Sequence, residues 1–470
     1  MKRFLLLSMA LIALAFPPPA ASASDVFSTE KLTSPSPNAA PESPGPRAAC
    51  PGGLSENAVL PLADVVELSL CNNPQTRQAW LNARIQAAQV GVAKSAYLPS
   101  LTINGSASQT SANTATINIP SVSINYGSQD VNAALSYLIY DFGQRSSNLE
   151  SALQTLRSLN ASHSAIIQTV FLSAAQAFYQ LFAADALVES SKEAEKSALE
   201  NYNAAAAKYS LGAATPADKL QARTAYSQAV LTRIQAEGSA RNARGVLANV
   251  MGVEPTSKFS ILPPAAATPD EKIEGDVGKL IESARSQRPD FIAAQAQTRA
   301  ALAGVEAQKA SGWGTLSLTG SVDHASGGAF GATVDSNSAG IQLSIPIFTG
   351  YGTTYRIRTA QEQADLRASQ EEQVRQQVAL DVWQAYQNLV TSAQSVKSAT
   401  DLVASATESN NVTRGRYKAG QGSILDVLTA QSALESAKQQ LIQALYNWRI
   451  SKATLAKSVG QLDFASLSVK

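Results

Sequence analysis

The residues best placed to do chemistry are two aspartates, Asp218 and Asp426, which occupy the same position in two copies of one local pattern. The first copy runs Tyr209-Ser210-Leu211-Gly212, then Thr215, Asp218 and Leu220, and on to Met251-Gly252. The second runs Tyr417-Lys418-Ala419-Gly420, then Ser423, Asp426 and Leu428, and on to Val459-Gly460. Counterparts stand 208 positions apart, as Tyr209 does from Tyr417. Thr215 and Ser423 precede their aspartates by the spacing at which a hydroxyl and a carboxylate cap the first turn of a helix. The chemistry available is therefore electrostatic, an anion placed where the helix dipole favours it. Nothing points to catalysis. His163, in a helical pattern, and His324, in a predicted loop, are the only histidines, and neither has a metal-ligand spacing or a nearby nucleophile. Each reads as an ordinary surface or packing residue. No glycine-rich phosphate loop is present, so no catalytic residue, metal or cofactor is expected.

The elements that position the aspartates are unusually long. From about Gly143 to Leu211, and from about Gly350 to Ala419, there is no proline and glycine is nearly absent, so each span predicts a helix of roughly 100 Å. Ile167, Val170, Phe171, Ala174, Phe178, Leu181 and Leu187 recur at helical spacing, with Gln, Ser and Glu on the other faces. Gly212 and Gly420 end these helices. Returning helices then run to about Met251 and Gly460, the first opened by Thr215-Pro216 with proline at its first position. Shorter helices are expected from about Leu62 to Ala96 and from about Lys279 to Ser311.

Each half also carries a hairpin of alternating strands. Leu101, Ile103, Gly105 and Ala107 alternate with Thr102, Asn104, Ser106 and Ser108, and Leu316, Leu318, Gly320 and Val322 alternate with Ser317, Thr319, Ser321 and Asp323. Partners follow at Leu135, Tyr137 and Ile139, and at Ile341, Leu343, Ile345 and Ile347, where Pro346 predicts a bend or an end. The Gly, Ser, Thr and Asn-rich stretches around Thr110 to Asp130 and His324 to Ser338 read as long loops. Tyr97, Trp313, Tyr140, Phe142, Phe348 and Tyr351 gather at the other strand ends, as in an interfacial girdle. From the strands alone, a lipid-facing sheet and a soluble sheet packed on helices remain equally open. Four strands cannot close a membrane barrel, so the lipid reading demands two or three chains.

Composition narrows the compartment. Lys2 and Arg3 precede an apolar run from Phe4 to Phe16, and Ala21-Ser22-Ala23 offers a cleavage site, so residues 1–23 are expected to be a signal peptide. No cysteine stands at that junction, which gives no indication of a lipoprotein anchor. Residues 24–55, rich in Pro, Ser and Ala, are expected to be a disordered leader. Beyond the signal no uninterrupted apolar run is long enough for a spanning helix, so a membrane crossing would require a barrel. Cys50 and Cys71 are the only cysteines. In an exported chain they favour a disulfide, closing a loop of about 20 residues and worth about 3 kcal/mol, over two unpaired thiols. With 37 basic against 36 acidic residues there is no field to attract nucleic acid.

From about Leu60 to Leu462 the chain resembles the TolC-like outer membrane factor family of Gram-negative bacteria. The resemblance rests on Asn73-Pro74-Gln75, Ala96-Tyr97-Leu98-Pro99-Ser100-Leu101, Leu138-Ile139-Tyr140-Asp141-Phe142-Gly143, Pro346-Ile347-Phe348-Thr349-Gly350, and Tyr417-Lys418-Ala419-Gly420 leading to Asp426-Val427-Leu428. It implies an α+β membrane protein, a TolC-like channel-tunnel in which a trimeric twelve-stranded β-barrel is continuous with a long periplasmic α-helical barrel. Internal duplication would give one repeat at 56–254 and another at 279–462, joined by a linker at 255–278 and followed by a tail at 463–470. The implied partners are two further copies of the chain, the outer membrane bilayer, a periplasmic membrane fusion (adaptor) protein and an inner-membrane RND or ABC pump. The implied function is the passive outer membrane channel of a tripartite efflux pump or a type I secretion system.

In that family Leu211, Gly212, Ala419 and Gly420 would sit at the tips that meet the adaptor. Asp426 would form a three-fold acidic ring at the entrance, with Tyr417 and Asp218 nearby. Thr429 stands where some members carry a second aspartate, and Gly422 replaces an arginine that latches others shut. Capping and pore roles are compatible at Asp218 and Asp426, and tip packing competes with a gating hydrogen bond at Tyr417. The alternative function is a soluble periplasmic coiled-coil adaptor or scaffold. Cell fractionation separates the two: the channel is expected in detergent extracts of outer membranes, and recovery as a detergent-free periplasmic monomer would select the scaffold.

Overall fold

A computed structural model describes residues 25–34, 58–116, 119–264, 269, 276–328 and 330–462. The expected signal peptide, the tail at 463–470 and Cys50 lie outside the described residues. In chain order, a 3-10 turn at Thr29–Leu32 is followed by β1 (Ala58–Leu60), α1 (Leu62–Asn72), α2 (Pro74–Ser95), β2 (Ser100–Thr116), β3 (Ile119–Tyr140), α3 (Gln144–Ser210) and α4 (Pro216–Val250). The second half supplies β4 (Phe259–Ile261), α5 (Val277–Gln287), α6 (Pro289–Ala310), β5 (Thr315–Gly327), β6 (Ala332–Ser344), α7 (Gly352–Lys418) and α8 (Ile424–Val459). Two compact units result, one holding the larger sheet and one most of the helical mass.

The first unit contains a four-stranded antiparallel sheet in the order β2-β3-β5-β6. Its register brings Leu101, Leu135, Gly320 and Ala339 into one row. On that face Leu316 pairs with Leu343 and Leu318 with Ile341. These side chains are not buried: Leu101 is 67% exposed and Ile341 69%. The opposite face is polar, with Asn132 donating to Asp323 and the Ser321 and Ser338 hydroxyls 2.9 Å apart.

The stretches expected as long loops are largely strand. Their Ser, Thr, Asn and Gln side chains pair across the hairpins, Ser108 with Ser128 at 2.8 Å and Gln109 with Asn125 at 2.7 Å. Composition suggests turn chemistry, but period-two pairing of short polar side chains serves a strand as well. His324 accordingly lies in β5, its Nδ1 2.6 Å from Asp335 Oδ1. β6 ends at Ser344, two residues before Pro346, as the missing proline N–H predicts.

At the junction from β3 into α3, buried Asp141 accepts from the Arg145 backbone N at 2.8 Å and from its Nε at 3.0 Å. Arg145 also donates through Nη1 to the Leu138 carbonyl at 2.7 Å and through Nη2 to that of Ile139 at 3.1 Å, so one guanidinium ties the end of a strand to the start of a helix. Phe142 and Tyr351 adopt left-handed backbone (φ 54° and 65°), a conformation costing a non-glycine residue about 1–2 kcal/mol, and their rings stay exposed among Tyr140, Trp313 and Phe348. Part of the stretch expected to be disordered is ordered. Asp25 Oδ2 accepts from Glu30 N at 2.8 Å, Glu30 pairs with Arg84, and Thr29 is buried beside Gly91 of α2. A local cap, an ion pair and the space left by a glycine hold a segment whose proline-rich continuation begins only after it.

In the second unit the central core joins Val65, Val66 and Leu68 of α1 to Phe171, Phe178 and Leu181 of α3, with Leu247 of α4 and Met251 just beyond it. α3 and α7 are 67 residues each, about 100 Å. α3 contains a stretch apolar enough, by length and composition, to cross a membrane, with mean hydropathy 1.3 and half of it buried in the chain. Of the apolar stripe foreseen, Val170, Phe171, Ala174, Phe178 and Leu181 are buried, while Ile167 and Leu187 are half-buried. Two expected single helices are broken. Asn73 and Arg288 take extended backbone (ψ 125° and 122°) because each precedes a proline, which disfavours helical geometry in the residue before it. β1 and β4 form an unforeseen parallel pair, Ala58 with Phe259 through Leu60 with Ile261.

Arg145→Met should strand Asp141 without its cation and destabilise the junction by about 3–5 kcal/mol. Thermal denaturation checks this, with Asp141→Asn/Arg145→Met recovering part of the loss; an unchanged midpoint in the single variant would remove the junction's importance.

Candidate entrance site at the helical turns

α3 and α7 end alike. Gly212 and Gly420 sit in left-handed backbone (φ 71° and 79°), which lets Ala213 N donate to the Lys208 carbonyl at 2.8 Å and Gln421 N to that of Arg416 at 2.9 Å. These turns satisfy carbonyls that a helix end otherwise leaves without partners. Two residues after each turn the next helix is capped. Asp218 N donates to Thr215 Oγ1 at 3.2 Å while Asp218 Oδ2 accepts from Thr215 N at 2.9 Å, and Asp426 and Ser423 repeat the exchange at 3.1 and 3.2 Å.

Behind the turns, Ala205, Ala222, Tyr417, Ile424 and Val427 form one buried cluster, bringing α3, α4, α7 and α8 together. Lys208 closes it. Its Nζ donates to the Tyr417 carbonyl at 2.5 Å and lies 3.8 Å from the centre of the Tyr417 ring. Hydrogen bonding and cation–π attraction thus act at one residue, beside a helix C-terminus that favours positive charge. Further along, the buried Asn201 amide donates to Gln431 Oε1 at 2.6 Å, and Arg414 pairs with Glu200 at 2.9 Å.

The expected site residues fall into three groups. Tyr417 is packed inside the cluster, and its hydroxyl has no hydrogen-bond partner among the described residues. Burial, then the nearby Asp218 charge, pushes its phenol above the ordinary value. Asp426 and Thr429 lie together on the exposed face of α8, opposite Ile424 and Val427. Leu211, Gly212, Ala419 and Gly420 are exposed at the turns, Leu211 81% so. Hydrogen bonds from Thr215, backbone first and hydroxyl second, hold the exposed Asp218 carboxyl below its ordinary value. Cys71, at the end of α1, is disulfide-bonded.

Sequence reading missed Lys208, although it precedes Tyr209 as Arg416 precedes Tyr417, and alignment of the two copies could have exposed it. It also missed Arg288, which holds Asp290 through Nε at 3.0 Å and Nη2 at 2.5 Å and reaches Asp381 through Nη1 at 2.8 Å. Burial alone would raise the Asp290 carboxyl, but the Arg288 pairing outweighs it and leaves the value lowered. His163 is a buried packing residue of α3, pushed below the ordinary histidine value by burial.

The sequence profile described as outer membrane efflux protein matches residues 65–253 and 280–461. Protein CyaE of Bordetella pertussis is similar at 26% identity over 423 residues, covering 89% of this chain and 88% of that protein. Outer membrane efflux protein BepC of Brucella suis is 26% identical over 412 residues, covering 85% of each. The solved outer-membrane channel OprN shares the fold, with a TM-score of 0.75 at 21% identity over 85% of this chain and 89% of that one.

A lowered folded-state value means that the Asp218 cap contributes fully above the unfolded value near 3.8 and is lost as pH falls through the folded one. Hydrogen exchange of residues 211–220, corrected for intrinsic rates, should be level above about pH 5 and accelerate below that window. Asp218→Asn should abolish the step, and an identical step in that variant would assign it elsewhere.

Proposed function

This chain belongs to the outer membrane efflux protein family, and from that premise we propose that three copies form the exit duct of a tripartite assembly. The family places it in the outer membrane as a transport channel. Four strands per chain would give a twelve-stranded barrel, and the long helices would continue the duct through the periplasm. The observation that carries the reading is the apolar row of Leu101, Ile103, Ile341 and Leu343, more than half exposed on a sheet whose outer strands β2 and β6 have no further partner strand among the described residues. A soluble scaffold has no use for that face.

Leu211, Gly212, Ala419 and Gly420 would meet a periplasmic membrane fusion protein, linking the duct to an inner-membrane RND or ABC pump. Cargo moves passively, whether in drug efflux or in type I secretion, and no catalytic residue is assigned. Asp426, already held by its cap and facing outward from its helix, would contribute one carboxylate per copy to an acidic ring at the entrance. Thr429, one turn on and on the same exposed face, would add a hydroxyl rather than a second charge. Tyr417 would act by packing, since its hydroxyl is buried. The Cys50–Cys71 disulfide remains part of the proposal.

Three carboxylates around a narrow axis should draw cations and hold multivalent ones. Planar-bilayer recordings at low salt should show cation preference and strong block by trivalent ions, with both falling at least tenfold in Asp426→Ala. Equal selectivity and equal block in the two proteins would remove the ring.

A further inference from the structure

About 14 Å beyond Asp426 along α8, Glu435 is half-buried where α3, α4 and α8 come together in the helical unit. It borders a cavity of about 10 Å³, lined also by Ser190 and Ser191 of α3, Ala229 and Thr232 of α4 and Gln439 of α8. Such a space admits about one water molecule, too little to hydrate an ionised carboxylate. Glu435 Oε1 accepts from Gln431 Nε2 at 2.9 Å, the single hydrogen bond that Glu435 makes among the described residues. Gln431 is also the tie between α8 and α3, since its Nε2 donates to the Ala194 carbonyl at 3.2 Å and its Oε1 accepts from the buried Asn201 amide at 2.6 Å. The charged neighbours are committed elsewhere. Lys438, on the same helix, pairs with Glu193 of α3 at 2.7 Å, and Arg233, next to Thr232 on α4, holds Glu195 and Glu237. Burial accordingly raises the Glu435 carboxyl above its ordinary value, against the opposing pull of the Gln431 hydrogen bond and of Lys438.

We propose that Glu435 is a proton-operated latch on the helices behind the entrance. Neutral, it fits the small polar gap and α3, α4 and α8 stay packed around it; ionised, it favours a separation of α8 from α3 and α4 that brings water to the carboxylate. Gln431 couples the two events, because the amide that serves the carboxyl also clasps Ala194 and Asn201 of α3. A carboxyl raised in the packed arrangement costs that arrangement nothing below the ordinary value near 4.5, and costs it most above the raised one. Acidification therefore tightens the helices and a rise in pH loosens them. The consequence for the entrance rests on the channel proposed above, whereas the latch itself lies within one chain.

Hydrogen exchange of residues 190–201 and 431–439 in the purified full chain in detergent, corrected for intrinsic rates, tests the latch. Both segments should exchange several-fold faster at about pH 8 than at about pH 5. Glu435→Gln, which keeps the shape of the side chain and removes its charge, should be slow at both, while Asp218→Asn should keep the difference. Exchange independent of pH in the parent, or an undiminished difference in Glu435→Gln, would overturn the latch. The exchange difference without any conducting channel in planar bilayers would uphold the latch and remove only its consequence for the entrance.

Discussion

Backbone polar groups cannot be left unpaired in hydrocarbon, and the rest of this structure follows from how that requirement is met. The four-stranded sheet pairs β3 and β5 on both sides, whereas β2 and β6 each present one edge with no partner strand among the described residues. Its apolar face is exposed, so the sheet suits neither water nor lipid as it stands. Closure with other copies, as proposed, would resolve both problems at once: the edges would find partners and the apolar row would face acyl chains. Oligomerisation would in this sense be a consequence of hydrogen bonding before it is a matter of interface area.

The helical turns solve the same problem in the opposite way, inside one chain. Left-handed Gly212 and Gly420 let the ends of α3 and α7 fold back on their own carbonyls, and the Thr215–Asp218 and Ser423–Asp426 exchanges satisfy the first amides of α4 and α8. The turns are thereby self-sufficient, and the outward residues Leu211, Asp426 and Thr429 are left available for work between molecules. The two copies have nevertheless diverged. Lys208 sits 3.8 Å from the Tyr417 ring centre, while Lys219 lies 5.3 Å from that of Tyr209, which stays 41% exposed. One tip is packed and the other open.

Much of this was legible because long helices announce their ends. The spans without proline, the glycines at 212 and 420 and the capping pairs located α3, α4, α7 and α8 to within a residue or two. The interruptions at Pro74 and Pro289 are legible in principle, because a proline disfavours helical backbone in the residue before it. The hairpins ran further than expected because serine, threonine and asparagine serve equally as turn formers and as cross-strand partners. Illegible in kind were contacts without a local signature: Asn201 with Gln431, Arg288 with Asp381, and the short parallel pair of β1 and β4. Distance along the chain hides such pairs, and only folding discloses them.

Amide hydrogen exchange along the edge strands measures the governing constraint directly. In the purified detergent-solubilised particle, the amides of β2 and β6 within the apolar band should exchange as slowly as those of β3 and β5, because each edge is hydrogen-bonded to a neighbouring copy. Fast exchange confined to β2 and β6, in a particle containing a single chain, would contradict a shared barrel.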